Sequence, residues 1–92
     1  LTSVGICEAG DVLGMIDGEV VFIAHDVTQA AVELVDRLLG VGGEIMTVLV
    51  GAGAPDGVGE LIVDRVRAKA PLTDVAAYAG GQPDYPVIIG LE

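Results

Sequence analysis

Two short apolar runs, Val12 to Ile16 and Val20 to Ala24, lie on either side of Asp17 and Gly18. Aspartate followed by glycine tolerates the positive backbone angles that a two-residue hairpin turn requires. The pattern therefore predicts a β-hairpin in the first quarter of the chain. A hairpin fixes two antiparallel neighbours in the sheet that the later segments complete.

A first amphipathic helix is predicted from Val27 to Leu39. Asp26 occupies the position of an N-cap, with Gln29 three residues further on, and Gly40 is the expected left-handed stop. Apolar side chains recur at helical spacing on one face, at Val27, Ala31, Leu34 and Leu38. On the other face Glu33 and Arg37 stand four residues apart, which favours an ion pair.

A second helix is predicted from Gly57 to Ala70. We expect Asp56 to cap its start, and Pro71 prevents its continuation. Its basic residues gather in the last turns, where the negative end of the helix dipole favours cations. The predicted buried stripe consists of Val58, Ile62 and Val66.

Three further strands complete the element order. Strand-length apolar runs extend from Glu44 to Val50, from Thr73 to Ala79 and from Val87 to Glu92. The order of hairpin, helix, strand, helix, strand, strand lets each helix cross between parallel strands. The sequence therefore predicts an α/β fold, a small mixed β-sheet with an N-terminal β-hairpin and two crossover helices.

The predicted strands are apolar on both faces. Strands with one face in water alternate apolar and polar residues, whereas Ile45, Met46, Val48, Leu49 and Val50 do not. Two helices are too few to cover both faces of such a sheet. We therefore expect another part of a longer protein, a partner subunit or a second copy to cover the remaining face.

Composition limits the classes of partner. The 92 residues carry 14 Asp and Glu against 4 Lys and Arg, a formal charge of -10, and 52% of them are hydrophobic. This acidic field repels phosphate backbones and anionic lipids, so we expect no nucleic-acid binding. One cysteine excludes a disulfide framework within these residues, and the apolar fraction suffices for a core.

Uncharged segments of the chain are too short to cross a bilayer. The longest lies between Glu44 and Asp56 and is interrupted by glycine and proline, so no membrane span is predicted. Since no export signal opens the chain, a cytoplasmic location is expected. The chain begins at Leu1 without methionine, and we interpret it as a piece of a longer parent protein.

Few residues suggest bond-making chemistry. His25 is the only histidine and has no second base or metal ligand near it in the sequence, so we expect a half-exposed strand terminus. Cys7 is followed by Glu8, which disfavours a thiolate, and we interpret it as a small, buried or half-buried apolar residue. One Cys and one His exclude a structural zinc site on ligand count. No catalytic residue and no metal site are predicted.

Two glycine-rich loops follow predicted strands. The segment from Gly51 to Gly57 opens a helix, but its glycine spacing fits neither a dinucleotide fingerprint nor a P-loop. In the segment from Gly80 to Pro86, glycines permit close approaches, prolines stiffen the chain, and Gln82 offers donors and an acceptor. Tyr85 adds an amphipathic side chain of the type enriched at interfaces. This second loop indicates either an interaction site or a rigid connection between strands.

Two segments carry a resemblance to a known family. They are the hairpin segment from Gly10 to Gly18, which an apolar strand follows, and the terminal segment from Gly80 to Glu92. Together with the helix, strand and helix between them, they make the chain similar to the C-terminal region of bacterial dihydroxyacetone-kinase-like fusion proteins. The family is that of the ATP-binding component of fatty acid kinase.

This resemblance implies a single C-terminal domain, residues 1–92, of a kinase subunit. The N-terminal DhaL-type domain of such a protein binds ATP and magnesium, and its substrate is a fatty acid held by a separate DegV-type subunit. The implied role of the present domain is noncatalytic docking of that subunit, without a cofactor of its own. The residues predicted to contact the partner or a sibling domain are Gly80, Gly81, Gln82, Pro83, Tyr85 and Asp11.

Two functions of other classes remain open. One is a module that binds a nucleotide or an acyl phosphate through the backbone amides of Gly51 to Gly53 or Gly80 to Gly81. The other is a dimerisation domain. Titration calorimetry with ATP and acyl phosphates separates the first from docking, and a concentration-dependent mass identifies the second.

Overall fold

The computed structural model describes residues 3–7, 12–16, 19–83 and 85–92. Its six strands form one mixed sheet in the order β3-β2-β1-β6-β4-β5, and two helices accompany it. This confirms the predicted α/β class, the hairpin and the order of the later elements. The elements are β1 (Ser3–Cys7), β2 (Val12–Ile16), β3 (Glu19–Ala24), α1 (Val27–Val41), β4 (Ile45–Val50), α2 (Val58–Lys69), β5 (Asp74–Ala79) and β6 (Val87–Leu91).

Strand directions explain why both helices act as crossovers. Neighbouring strands are antiparallel from β3 through β2, β1 and β6 to β4, so β3 and β4 point the same way. Helix α1 joins these two strands, passing the three that lie between them. Helix α2 joins β4 to β5, the one parallel pair of neighbours in the described sheet. A tight turn reverses the chain once and therefore joins antiparallel strands. Parallel strands need a longer crossover, because the chain must return to the end of the sheet at which the first strand began.

Strand β1 is the element that the sequence did not predict. It lies in the interior of the sheet, antiparallel to β2 on one side and to β6 on the other. Ser3–Cys7 is short and shows no alternation of apolar and polar residues, so its strand conformation follows from pairing with two neighbours. The predicted turn at Asp17 and Gly18 lies outside the described residues.

The two helix boundaries differ from prediction at glycines. Helix α1 continues through Gly40, ends at Val41 and is capped by Gly42, whose φ of 90° is accessible to glycine and whose N–H donates to the Leu39 carbonyl at 3.2 Å. Helix α2 begins after Gly57, which has a φ of 82°. No side chain caps this start, so the prediction of an Asp56 cap is wrong: the left-handed Gly57 turns the chain instead.

The predicted N-cap of α1 is present, with Asp26 bonded to a backbone N–H of the first turn. The Asp26 carboxylate accepts a hydrogen bond from the Gln29 N–H at 2.7 Å. The Gln29 side chain reaches back one residue further than in a standard capping box, accepting from the His25 N–H at 3.2 Å. On the outer face of the same helix, Arg37 and Glu33 form the predicted ion pair at 3.2 Å.

One face of the sheet and both helices enclose the core. Every buried side chain among the described residues is apolar. The predicted stripes of both helices are buried, except that Val27 is half-buried and packs at the core's margin. The largest fully buried side chains are Leu34, Leu38, Met46, Ile62, Ile89, Val35, Val48, Val58, Val66 and Val87.

An ion-pair cluster joins the two helices at their outer surface. Arg65 of α2 donates two hydrogen bonds of 2.7 Å to the Asp36 carboxylate of α1, and Lys69 approaches the same carboxylate at 3.2 Å. The hydrogen bonds from Arg65 lower the pKa of Asp36 below its ordinary value of 3.8, although partial burial acts in the opposite direction. The planar fork of Arg65 thereby fixes the relative position of α1 and α2.

Asp36→Asn is expected to lower the free energy of unfolding at neutral pH. Because folding lowers the pKa of Asp36, its contribution is complete above the ordinary aspartate pKa and disappears as the pH falls through the folded-state value. The difference in urea midpoint between the wild type and the variant should stay constant from about pH 7 to 5 and shrink below about pH 4. A difference that grows on acidification would contradict the assignment. Glu33→Gln, in the more exposed pair, is the control with the smaller expected effect.

Candidate functional site

The sheet face opposite the helices is apolar and uncovered by the described residues. Since directly paired strand residues share a face, the register aligns one row of side chains across it. The row consists of Tyr78, Leu49 and Ile88 on one side of β1 and Met15 and Val20 on the other, because Ile6 of β1 pairs with both Ile88 and Met15. We call this surface the open face. The sequence predicted that one face would lack cover, and the fold confirms it.

Several side chains of the open face are exposed to an unusual degree. Ile23 is 74% exposed, Tyr78 58%, Val20 52% and Ile45 51%. The strand positions that the register assigns to this face include Asp74 and Thr47 but, among the described residues, no lysine or arginine. Exposed apolar side chains grouped on one face in this way are typical of an interface.

The loop from Gly80 to Pro86 folds back onto the end of β4. The N–H of Gly51 donates to the Pro86 carbonyl at 2.7 Å, and the N–H of Ala52 donates to the Gln82 carbonyl at 3.1 Å. The N–H groups of Gly80 and Gly81 donate to the Val50 carbonyl at 2.9 and 3.4 Å. These bonds hold the loop beside the carboxyl end of β4.

Gln82 has a structural role within this loop. Its side chain is half-buried, and its Nε2 donates to the Leu49 carbonyl at 3.1 Å. A side chain at Gly80 would overlap the Gln82 amide oxygen and lie 3.1 Å from the Leu49 Cβ. Both contacts involve Leu49, which belongs to the open face, so the loop lies at the border of that face.

The predicted contact residues differ in how far they are available to a partner. Gly80, Gly81 and Pro83 are exposed, with Gly81 at a φ of 70°, and Tyr85 is half-buried. Asp11 lies outside the described residues. The loop positions remain a prediction, now placed at the border of the open face.

Most of the backbone amides that could bind a phosphate in the two glycine-rich loops already donate hydrogen bonds within the chain. Of the five amides in the phosphate hypothesis, those of Gly51, Ala52, Gly80 and Gly81 donate to carbonyls of the chain itself, as described above, which leaves only that of Gly53. A phosphate cradle requires amides that point free of such partners. This geometry does not favour the nucleotide or acyl phosphate module.

The remaining candidate residues are dispersed. His25 directly follows β3, as predicted for a strand terminus, but it is exposed and not half-exposed, and its backbone N–H donates to the Gln29 side chain. Cys7 ends β1, paired with Gly14 and Val87 in the backbone ladder. Among residues 3–7, 12–16, 19–83 and 85–92, no group of three His, Cys, Asp or Glu is arranged to hold a metal ion. No helix within the described part of the chain is long and apolar enough to span a membrane.

Sequence reasoning missed the particular residues of the open face. Tyr78 and Ile23 were assigned to strands, yet their exposure depends on which face the helices cover. Period-two alternation groups them with their neighbours, but it does not indicate the side on which α1 and α2 pack. The available signal was the apolar character of both strand faces, which predicts an open face without identifying it.

The fold and this surface define a class: a small α/β domain with one helix-covered sheet face and one open apolar face. The sequence model of the FakA-like C-terminal family, the C-terminal domains of proteins like the A component of fatty acid kinase, matches residues 1–92. The chain belongs to that family, which confirms the resemblance drawn from the hairpin and terminal segments.

Similar proteins occur in Staphylococcus aureus. Uncharacterized proteins of strains USA300, N315 and MRSA252 are each 28% identical to the chain over 80 residues. The matched segment covers 87% of the chain and 15% of each relative. The chain thus corresponds to a small part of these much longer proteins.

Proposed function

We propose that this chain is a noncatalytic docking domain of a fatty-acid-kinase-like protein. Its partner is the DegV-type subunit that holds the fatty acid, and docking brings the bound carboxylate to a kinase domain elsewhere in the longer protein. ATP and magnesium bind at that other domain. The family membership supports the kinase context.

The observation that carries the docking role is the open face itself. Exposed Tyr78 and Ile45 stand on a sheet surface that the two helices leave uncovered, and the loop from Gly80 to Pro86 borders it. Burying such apolar surface against a partner contributes roughly 25 cal/mol per Å², and tyrosine is one of the residue types enriched at interfacial hot spots. The exposed glycines of the loop would allow a close backbone approach at the rim.

Tyr78→Ser is expected to weaken binding of the fatty-acid-loaded DegV-type protein by about tenfold or more, the usual effect of losing an interfacial hot spot. Affinity is measured by biolayer interferometry with the 92-residue chain immobilised, and far-UV circular dichroism checks the fold. Leu72→Ser is the matched control, since Leu72 is 96% exposed and lies outside the strands of the open face. Equal loss in both variants, or none in either, would exclude the open face as the docking site.

The contribution of the loop is tested separately. We expect Pro83→Ala with Tyr85→Ala to weaken the same binding less than Tyr78→Ser does, because only the exposed part of the loop faces a partner. Absence of any binding by the wild-type chain would overturn the docking function. A dimeric mass in light scattering, lost in Tyr78→Ser, would instead support a dimerisation domain.

A further inference from the structure

A groove separates the edge strand β5 from helix α2. It is an open cleft of about 750 Å³ that lies mainly on the helix-covered side of the sheet and reaches around the edge of β5 to Ala76 and Tyr78 of the open face. Gly59 brings the helix close to the sheet, because a side chain there would lie 3.1 Å from Val50 and 3.4 Å from Ala77. The lining includes Val63 of the helix together with Val75, Ala77 and Ala79 of the strand.

The outer edge of β5 presents backbone groups to this groove. The N–H of Asp74 donates to the Glu44 carbonyl at 2.7 Å and that of Gly80 donates to the Val50 carbonyl at 2.9 Å, both towards β4. Peptide groups alternate in direction along a strand, so the backbone N–H and C=O groups of the even-numbered residues of β5 point towards β4. The peptide groups of Val75, Ala77 and Ala79 therefore point outward, beyond the last strand of the described sheet.

This edge lacks the features that usually prevent pairing. Natural edge strands carry lysine, proline or a bulge, whereas β5 has the sequence Asp-Val-Ala-Ala-Tyr-Ala and pairs with β4 in unbroken register. Its alanines leave the backbone accessible. The opposite edge differs, because the pairing of β2 with β3 is interrupted by a register shift at Gly14 and Met15.

The charged side chains that line the groove favour a basic ligand. Glu60 and Asp64 line it from α2, both are exposed, and neither forms an ion pair within the described residues. Arg67 is the one cation of the lining, so carboxylates predominate in a chain with a net charge of -10. A basic ligand is attracted to this groove, whereas a second copy of the acidic chain, paired edge to edge, would bring two such rims together.

We propose that β5 and α2 form a strand-capture groove for an extended basic segment of a partner polypeptide. The segment adds to the sheet beside β5, pairing its backbone with the outward peptide groups of Val75, Ala77 and Ala79. Alternate side chains of the segment lie on the helix-covered side, where its lysines or arginines meet Glu60 and Asp64 and lay their aliphatic stems against Val63. The side chains between them are apolar and extend the open face. Tyr78 also lines the groove, but the site rests on the backbone edge of β5 and the carboxylates of α2 and does not depend on the docking function proposed above.

The test uses three end-blocked heptapeptides titrated into the isotopically labelled 92-residue chain and followed by NMR. The first alternates valine and lysine, the second alternates valine and glutamate, and the third is the first with alternate backbone nitrogens methylated. We expect the valine–lysine peptide to shift the amides of residues 57–67 and 74–80. The other two peptides should bind at least about tenfold more weakly. The glutamates of the second are repelled by Glu60 and Asp64, and the methylated third peptide cannot donate all the backbone hydrogen bonds to β5.

Two variants separate backbone pairing from charge. Ala77→Pro removes an outward N–H without removing a bond to β4 and should abolish binding, with the dispersion of the remaining amides showing that the fold persists. Glu60→Gln should weaken binding of the valine–lysine peptide several-fold, whereas Glu19→Gln in the opposite edge strand should leave the affinity unchanged. Shifts located elsewhere, equal affinity for the three peptides, or a β5-mediated dimer of the wild-type chain would each overturn the proposal.

Discussion

Gly51→Ala is expected to lower the free energy of unfolding by about 3 kcal/mol, the upper end of the range for overpacking a filled site. A Cβ at this position would overlap the Tyr85 carbonyl oxygen and stand 2.9 Å from the Gln82 carbonyl oxygen and 3.1 Å from the Pro86 Cα. These atoms are backbone, so they cannot rotate away as a side chain would. The substitution must displace the loop from Gly80 to Pro86 from the end of β4.

Urea denaturation measures this loss, and Gly53→Ala is its matched control two residues away. A Cβ at Gly53 meets nothing within 4 Å, and its φ is not positive, so the change should be within about 1 kcal/mol of neutral. Equal stability of the two alanine variants would contradict the packing of the loop from Gly80 to Pro86 against the end of β4. Loss of the loop should also reduce any binding that depends on its position beside the open face.

Leu34→Ala is expected to cost about 3 kcal/mol, within the range for removing a fully buried leucine. Leu34 is 0% exposed at the centre of the layer between α1 and the sheet. The loss combines the transfer of the missing methyl groups with a cavity that rigid neighbours cannot fill. The midpoint of thermal unfolding, followed by circular dichroism, should fall clearly in a chain of this size.

Leu72→Ala provides the comparison for this core substitution. Leu72 is 96% exposed, so truncating it removes little buried surface and should change stability by less than about 0.5 kcal/mol. Equal losses at the two leucines would show that α1 does not pack its Leu34 face against the sheet.

The sequence predicted the helices and the buried stripes well because helical periodicity is a local signal. Val58, Ile62 and Val66 recur at spacings of four residues, and all three are buried. Prediction was less accurate where glycine ends or begins a helix. Gly40 and Gly42 offer the same local chemistry, and in the fold Gly42 takes the positive φ and caps α1.

The candidate site was predicted only in part. Its terminal loop stands out by composition, yet Gln82 was expected to contact a partner and in the fold donates to the Leu49 carbonyl. That bond joins residues 33 positions apart, and no local pattern reveals it. The groove beside β5 was not predicted either, because an edge strand is recognised only when the order of the strands is known.

Local chemistry in the sequence alone determined the class of the fold, its acidic charge, the paired strands β2 and β3, the cap at Asp26 and the apolar faces of both helices. Tertiary structure decided what depends on distant partners: the insertion of β1 between β2 and β6, the single sheet face that both helices cover, and the edge position of β5. The physical reason is that periodicity groups side chains on a face, whereas only long-range pairing and packing decide which face is buried and which edge stays open.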